Sequence, residues 1–296
     1  MNESEDFLEL VVTGHVIACT MEVLGMSSVN DIPSSTVIDS PEDVWMMDDT
    51  ERKCILYDVA SQVVEGYIDL STRFAETKQC PSADGVHAYA CETLSLGLLY
   101  LEFKDSIKEN DGDRILVVWQ YFLLLFKAAK RTNYSVEAFT LLSQYHLILP
   151  PHLAEQLKWS RCVNTHGLPG HNISCDLHME HLNRVAKVAI DGLGPNKSKN
   201  AIERVGKAIG TITSSLDKFD STNNVSAESG HHSTRSSDKD LSKVINQLVK
   251  SKVFKMRPGR KHKSFPNLQT NYISTISEKH LKEWMIDHYA TLSLSS

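Results

Sequence analysis

The sequence predicts a mainly α protein, an irregular multi-helix domain with little or no sheet. Three observations lead there. Apolar residues recur at spacings of three and four over most of residues 1–219, which is the period of a helix face. No run of alternating polar and apolar residues bounded by turn residues marks a strand. No self-similar period of roughly 20–50 residues marks a solenoid. The 296 residues, 41% hydrophobic and 23% charged, suffice for one large domain or two ordinary ones and argue against wholesale disorder. A net charge of -6 excludes a uniformly basic nucleic-acid coat. Six cysteines without a Cys-x-x-Cys pair exclude a disulfide scaffold.

The elements follow in order. Phe7 to Leu24 reads as a broad apolar helix stopped near Gly25. Asn30 to Thr50, with prolines and an acidic run, reads as a loop. Leu56, Val59, Val63, Tyr67 and Leu70 stripe a helix over Lys53 to Phe74. A turn at Cys80 to Asp84 precedes a long helix from His87 to Ile107. Asp111-Gly112-Asp113 breaks it, and Asp113 is the expected cap of a helix from Arg114 to Lys130. Another helix runs from Ser135, its expected cap, to Leu147; Pro150-Pro151 opens the next, to about Cys162. The Ser198 to Phe219 helix carries Ile202, Val205, Ile209, Ile212, Leu216 and Phe219. Those steps alternate three and four, a narrow stripe suited to packing on another helix, either in the core or against a second chain.

Charge is uneven. Met1 to Glu51 holds twelve Asp or Glu and no Lys or Arg, whereas Lys239 to Lys263 holds nine Lys or Arg against Asp240 alone. Pro258 and Gly259 make the densest basic stretch a loop. Lys252, Lys255, Arg257, Arg260, Lys261 and Lys263 are its candidate phosphate contacts, for DNA above all, and the same stretch is a candidate nuclear address; the alternative is a solvated charged tail. Asp220 to Ser237, almost free of apolar residues, reads as a disordered linker. The expected organisation is therefore a helical domain over 1–219, a linker over 220–240 and a basic C-terminal arm with short helices over 241–296. The acidic opening MNESEDFLE lacks the basic start of a signal peptide. The longest apolar cluster, Ile115 to Phe126, is broken by Gln120 and too short to span a bilayer. The expected compartment is intracellular, nuclear before cytoplasmic, with free thiols and no membrane association.

Cys162 to Arg184, CVNTHGLPGHNISCDLHMEHLNR, is the densest motif. Its first half, with Gly167, Pro169 and Gly170, is a loop; its second half is a helix to about Ile190, with Ser174 or Asp176 near its start. At 100° per residue, Leu177, Leu182, Val185, Val188 and Ala189 fall on one arc, and His178 and His181 lie inside it. Asp176, Glu180, Asn183, Arg184 and Lys187 take the other side, where Arg184 can pair with Glu180. Three chemistries compete. Cys162, His166, His171, Cys175, His178 and His181 are candidate zinc ligands, although their spacing matches no standard zinc pattern. Asp176 or Glu180 are candidate ligands of a divalent cation, which needs carboxylates from elsewhere. The structural alternative has hydrogen-bonded histidines and a surface ion pair worth little. A Cys-His nucleophile lacks an orienting third group.

VVWQYFLLLFKAAKRTNYSVEAFTLL, LPPHLAEQLKWSRCVNTHGLPGHNISCDLHMEHLNRVAK and AIERVGKAIG together resemble the domain of unknown function 6589 (DUF6589) family, whose genes are transposon-like. The resemblance runs from about Phe7 to Phe219, and its specific phrase is Asn164, Gly170, Asn172, Asp176, His178, Glu180, His181 and Asn183. It implies the helical insertion and last helix of an RNase H-like transposase. Longer relatives pair a Gly-Asp-Gln and an Asp-Phe-His motif with a late glutamate. Such carboxylates hold two Mg²⁺ or Mn²⁺ ions about 4 Å apart for in-line phosphodiester attack. Glu180 would be the late glutamate. Gly-Asp-Gln is absent here, and the Gly112-Asp113 pair is followed by Arg114. The resemblance thus implies the C-terminal part of such an enzyme, catalytically inactive as it stands, with no cofactor expected. Apart from the resemblance, the residues leave two expected partners: DNA through the basic arm, and a second copy or another protein through Ser198–Phe219. Helices meant to cover a sheet would leave apolar surface open.

Overall fold

A computed structural model describes residues 3–34, 44, 46–69, 84–165, 167–195, 197–222, 237–265, 273 and 276–295. The protein is mainly α. Helix α1 (Glu3–Val23) ends where Gly25 takes φ 68°, with the Met26 N–H returning to the Met21 carbonyl at 2.8 Å. Helix α2 (Asp49–Val63) starts inside the expected loop because Asp48 and Glu51 form a reciprocal capping box. A wider turn, Val64–Ile68, follows it. The rest of the expected helix to Phe74, the Cys80 turn and most of the expected linker lie outside the described residues.

Helix α3 (Gly85–Glu109) is capped by Asp84, whose Oδ1 accepts from the Val86 and His87 N–H groups at 3.0 and 3.1 Å. Helix α4 (Gly112–Ala128) is capped by Asp111, not by Asp113 as its sequence suggests: Asp111 accepts from the Arg114 N–H. Helix α5 (Thr132–Ser143) likewise does not start at Ser135, a buried residue whose hydroxyl donates back to the Arg131 carbonyl. A wide turn, Gln144–Ile148, leads to α6 (Pro151–Trp159), opened by its proline. Strands β1 (Cys162–Val163) and β2 (Ile173–Ser174) pair antiparallel, Cys162 opposite Ser174. Ser174 caps α7 (Cys175–Asp191) and Ser198 caps α8 (Lys199–Thr222), both as expected. Helices α9 (Ser237–Ser251) and α10 (Glu278–Ser295) complete the described elements. No described helix is long and apolar enough to cross a membrane.

The chain forms two compact units that do not follow the expected 1–219, 220–240 and 241–296 division. Unit 1 comprises residues 1–104, 116–148 and 236–296. Its core joins Ala18 and Cys19 of α1, Val63 of α2, Ala90, Cys91 and Leu94 of α3, and Val253 and Phe254 beyond α9. Helix α9 packs closely on α1: a Cβ on Gly14 would come within 2.6 Å of Val244 Cγ1. Helix α10 packs on α5 through Trp284, 5.3 Å from the Phe139 ring, with Lys127 Nζ 3.9 Å over the indole. The 241–296 stretch, expected as a separate arm, therefore contributes to this core.

Unit 2 comprises residues 105–115 and 149–235. Ile115 and Ala154 are buried in it, as is Lys158, whose ammonium pairs with Asp113 and Glu155, each at 3.0 Å. Those bonds, Asp113 first, hold the Lys158 pKa above its ordinary value. Helices α7 and α8 pack together, yet none of their described residues is buried.

Candidate functional site

The basic stretch is a pinned loop. After α9, Lys252 takes a left-handed φ of 50°, and Val253 and Phe254 turn into the core. Lys252, Lys255 and Arg257 face outward, and Gly259, at φ 87°, reverses the chain. Arg260 then turns inward, which removes it from the candidate phosphate contacts. Its Nε donates to Asp84 Oδ2 at 2.7 Å, and its Nη groups reach the carbonyls of Ser251, Lys252 and Lys255 at 3.2, 3.1 and 2.7 Å. The guanidinium so satisfies carbonyls at the C-terminal end of α9, where a cation suits the helix dipole. Asp84 also accepts from the Arg257 N–H, and the Gly85 N–H donates to the Arg260 carbonyl, both at 2.7 Å.

Asp84 exposes none of its side chain. Burial alone would raise its pKa; the Arg260 guanidinium and the backbone N–H groups of His87 and Arg257 outweigh burial and hold it below the usual carboxylate range. The pair ties the start of α3 to the end of α9. Lys252, Lys255, Arg257, Lys261 and Lys263 are left exposed, with no carboxylate partner among the described residues. Beside them Tyr89, His262 and Phe265 stack: Tyr89 lies 4.3 Å from His262 and 5.4 Å from Phe265, nearly parallel to the latter. Phe265 stays 49% exposed. Exposed cations beside stacked aromatic rings are the ingredients with which a protein holds phosphates and unpaired bases.

Several side chains of the Cys162 to Arg184 segment bond to the backbone around them. Asn164 closes its loop, accepting from the Gly167 N–H at 2.6 Å and donating to the Leu168 carbonyl at 2.8 Å. Asn172 donates to the Lys108 carbonyl at 2.6 Å, fastening the loop to the last turn of α3. Gly167 and Gly170 take φ values of 67° and 70°, a region that favours glycine. The Cys175 thiol donates to the Ser160 carbonyl, and burial raises the Cys162 pKa, with Cys175 adding to it. Half-buried Arg161 lies beside both thiols, its pKa lowered by burial.

Of the candidate metal ligands, His166 lies outside the described residues; His171 and His181 are exposed, and His178 and Cys175 are half-buried. No three His, Cys, Asp or Glu side chains form a metal-holding group among the described residues. Asp176 and Glu180 stand exposed on one side of α7, and no third carboxylate among the described residues converges on them. Glu180 and Arg184 form no ion pair, contrary to their helical spacing.

Sequence reasoning missed the Asp84–Arg260 tie. Half of it had a signal, since an Asp before Gly85-Val86-His87 is a typical helix cap. The Arg260 half lies 176 residues away and has no local signature. Comparison with known proteins gives one finding: the profile described as a family of unknown function (DUF6589) matches residues 2–232. No curated protein and no solved structure matches the chain.

Proposed function

The chain belongs to the DUF6589 family, a family of unknown function, and we propose that it is a non-catalytic, transposase-derived protein that binds nucleic acid through the Lys252–Lys263 loop. One observation carries this reading: five exposed cations without carboxylate partners among the described residues sit on a loop held by the buried Asp84–Arg260 pair, next to the Tyr89–His262–Phe265 stack. Holding the loop in advance lowers the ordering cost of binding. The cations take phosphate oxygens, and Phe265 offers a face to an unpaired base. The same loop is the proposed nuclear address.

The transposase ancestry rests on the specific phrase around Glu180, placed on the polar side of an amphipathic helix. The lack of catalysis rests on the carboxylates. A two-metal centre needs several converging oxygen ligands, and Asp176 with Glu180 supplies one short row on an open helix face. Mg²⁺ or Mn²⁺ then has no catalytic role in this chain.

Fluorescence anisotropy of labelled oligonucleotides over a salt series tests the reading. Binding is expected to weaken with log[salt], with a slope of about -0.9 per duplex phosphate contact or about -0.7 per single-strand contact. A triple variant, Lys255→Glu with Lys261→Glu and Lys263→Glu, is expected to lose more than about tenfold at low salt. Salt-independent binding, or binding unchanged in that variant, contradicts it.

A further inference from the structure

We infer that two copies of this chain associate through the open apolar face of the α7–α8 pair. The inference is independent of the nucleic-acid reading, because the basic loop belongs to unit 1 and this face to unit 2. Helices α7 and α8 pack on each other and leave an open groove of about 540 Å³, lined by Val185, Val188, Ala189, Ile209 and Ile212 together with His181 and Arg184. A layer of two helices cannot bury its shared apolar side by itself.

Area supports one full partner. Leu177, Leu182, Val185, Val188 and Ile212 are 42, 44, 41, 68 and 49% exposed. At about 1.45 Å² per dalton of free chain, those five present on the order of 400 Å². A standard interface takes about 800 Å² from each partner, and somewhat over half of it is apolar. The patch therefore supplies most of the apolar centre of a dimer interface.

The α8 seam favours a copy of itself over a charged partner. Over its first two heptads the stripe is Ile202, Val205, Ile209 and Ile212, so Ile or Val holds both core positions there, with Leu216 and Phe219 continuing it. That choice shifts helices away from pairs and toward bundles of three or four. The flanking positions, which usually carry the charges that select a partner, are Ala201, Gly206, Ala208, Thr213 and Ser215. Nothing lies within 4 Å of a Cβ placed on Gly206, so a second helix can come close there. Two α7–α8 pairs laid face to face bury both grooves as a four-helix bundle.

Light scattering of the full chain across a concentration series tests this. The expected mass is twice the 33.2 kDa of the chain, falling to one chain on dilution. Val188→Glu and Ile212→Glu, both at exposed positions, are expected to shift the dissociation midpoint by more than tenfold in concentration with unchanged helical circular dichroism. Tyr57→Glu, at a still more exposed aromatic site in unit 1, is expected to leave the dimer intact. A single-chain mass at every concentration overturns the inference, as does a dimer that survives both groove variants or is lost equally in the Tyr57 variant.

Discussion

The α1–α3–α9 packing of unit 1 and the α7–α8 pair of unit 2 differ in how much of each helix is covered. Helices α1, α3 and α9 are covered along one side, and they supply the fully buried Val12, Cys19, Cys91 and Leu94 and the buried Ile245. Helices α7 and α8 divide sharply into apolar and polar faces, and none of their described residues is buried. An amphipathic helix needs a partner for its apolar face: α9 has one in α1, whereas the shared apolar side of α7 and α8 stays open. The same contrast separates the two sets of charged candidates. The cations stand on a loop fastened to the buried scaffold; the carboxylates stand on a helix with an open side.

Substitutions sharpen that contrast, beginning with the largest effect. Leu94→Ala removes a fully buried side chain and is expected to cost about 3 kcal/mol in urea unfolding. The parallel change Val188→Ala, at a site 68% exposed, is expected to stay within about 0.5 kcal/mol under dilute conditions. Equal costs at the two sites would erase the distinction.

Asp84→Asn breaks a pair whose carboxylate is buried, with an expected loss of about 2–4 kcal/mol. Its pH dependence has a definite sign. The folded-state pKa lies below the ordinary value, so the stabilisation is present above the unfolded value near about 3.9. It is lost as pH falls through the lower folded value. Unfolding midpoints followed into acid should therefore show a steeper decline in the wild type than in the Asn variant.

Gly112→Ala would place a Cβ 2.5 Å from Lys158 Cγ and 2.9 Å from its carbonyl oxygen. It is expected to lower stability by about 1–3 kcal/mol through overpacking, read as a shift in thermal midpoint. Gly206→Ala, on exposed α8 with open space around the new methyl, is expected to raise stability by about 0.5–1 kcal/mol. The smallest readout is chemical. Burial, and then neighbouring Cys91, raises the Cys19 pKa far above that of an ordinary thiol. Alkylation mapped by mass should label exposed Cys54 in the native protein and Cys19 only after unfolding.

Much of the helical architecture was legible in the sequence, because spacings of three and four mark a face whatever covers it. The Ser174, Ser198 and Gly25 ends were legible for the same local reason. Asp113 and Ser135 misled because several polar residues crowd one turn, and tertiary demand chooses among them. Asp113 pairs with Lys158, and Ser135 is buried. The role of residues 241–296 was hidden by charge. Their lysines mark a solvated segment, while Val253 and Phe254, which anchor it, are two residues without a period. Within the candidate site, the outward cations could be named from sequence, but Arg260 could not be separated from them. Its role depends on a carboxylate 176 residues away.

The most direct test of binding without catalysis follows one labelled oligonucleotide in Mg²⁺ or Mn²⁺, reading bound fraction and strand length from the same sample. The account predicts a salt-sensitive bound fraction that requires Lys255, Lys261 and Lys263, and a strand that stays intact at the rate of a protein-free control. Metal-dependent cleavage that disappears in Glu180→Gln would contradict it.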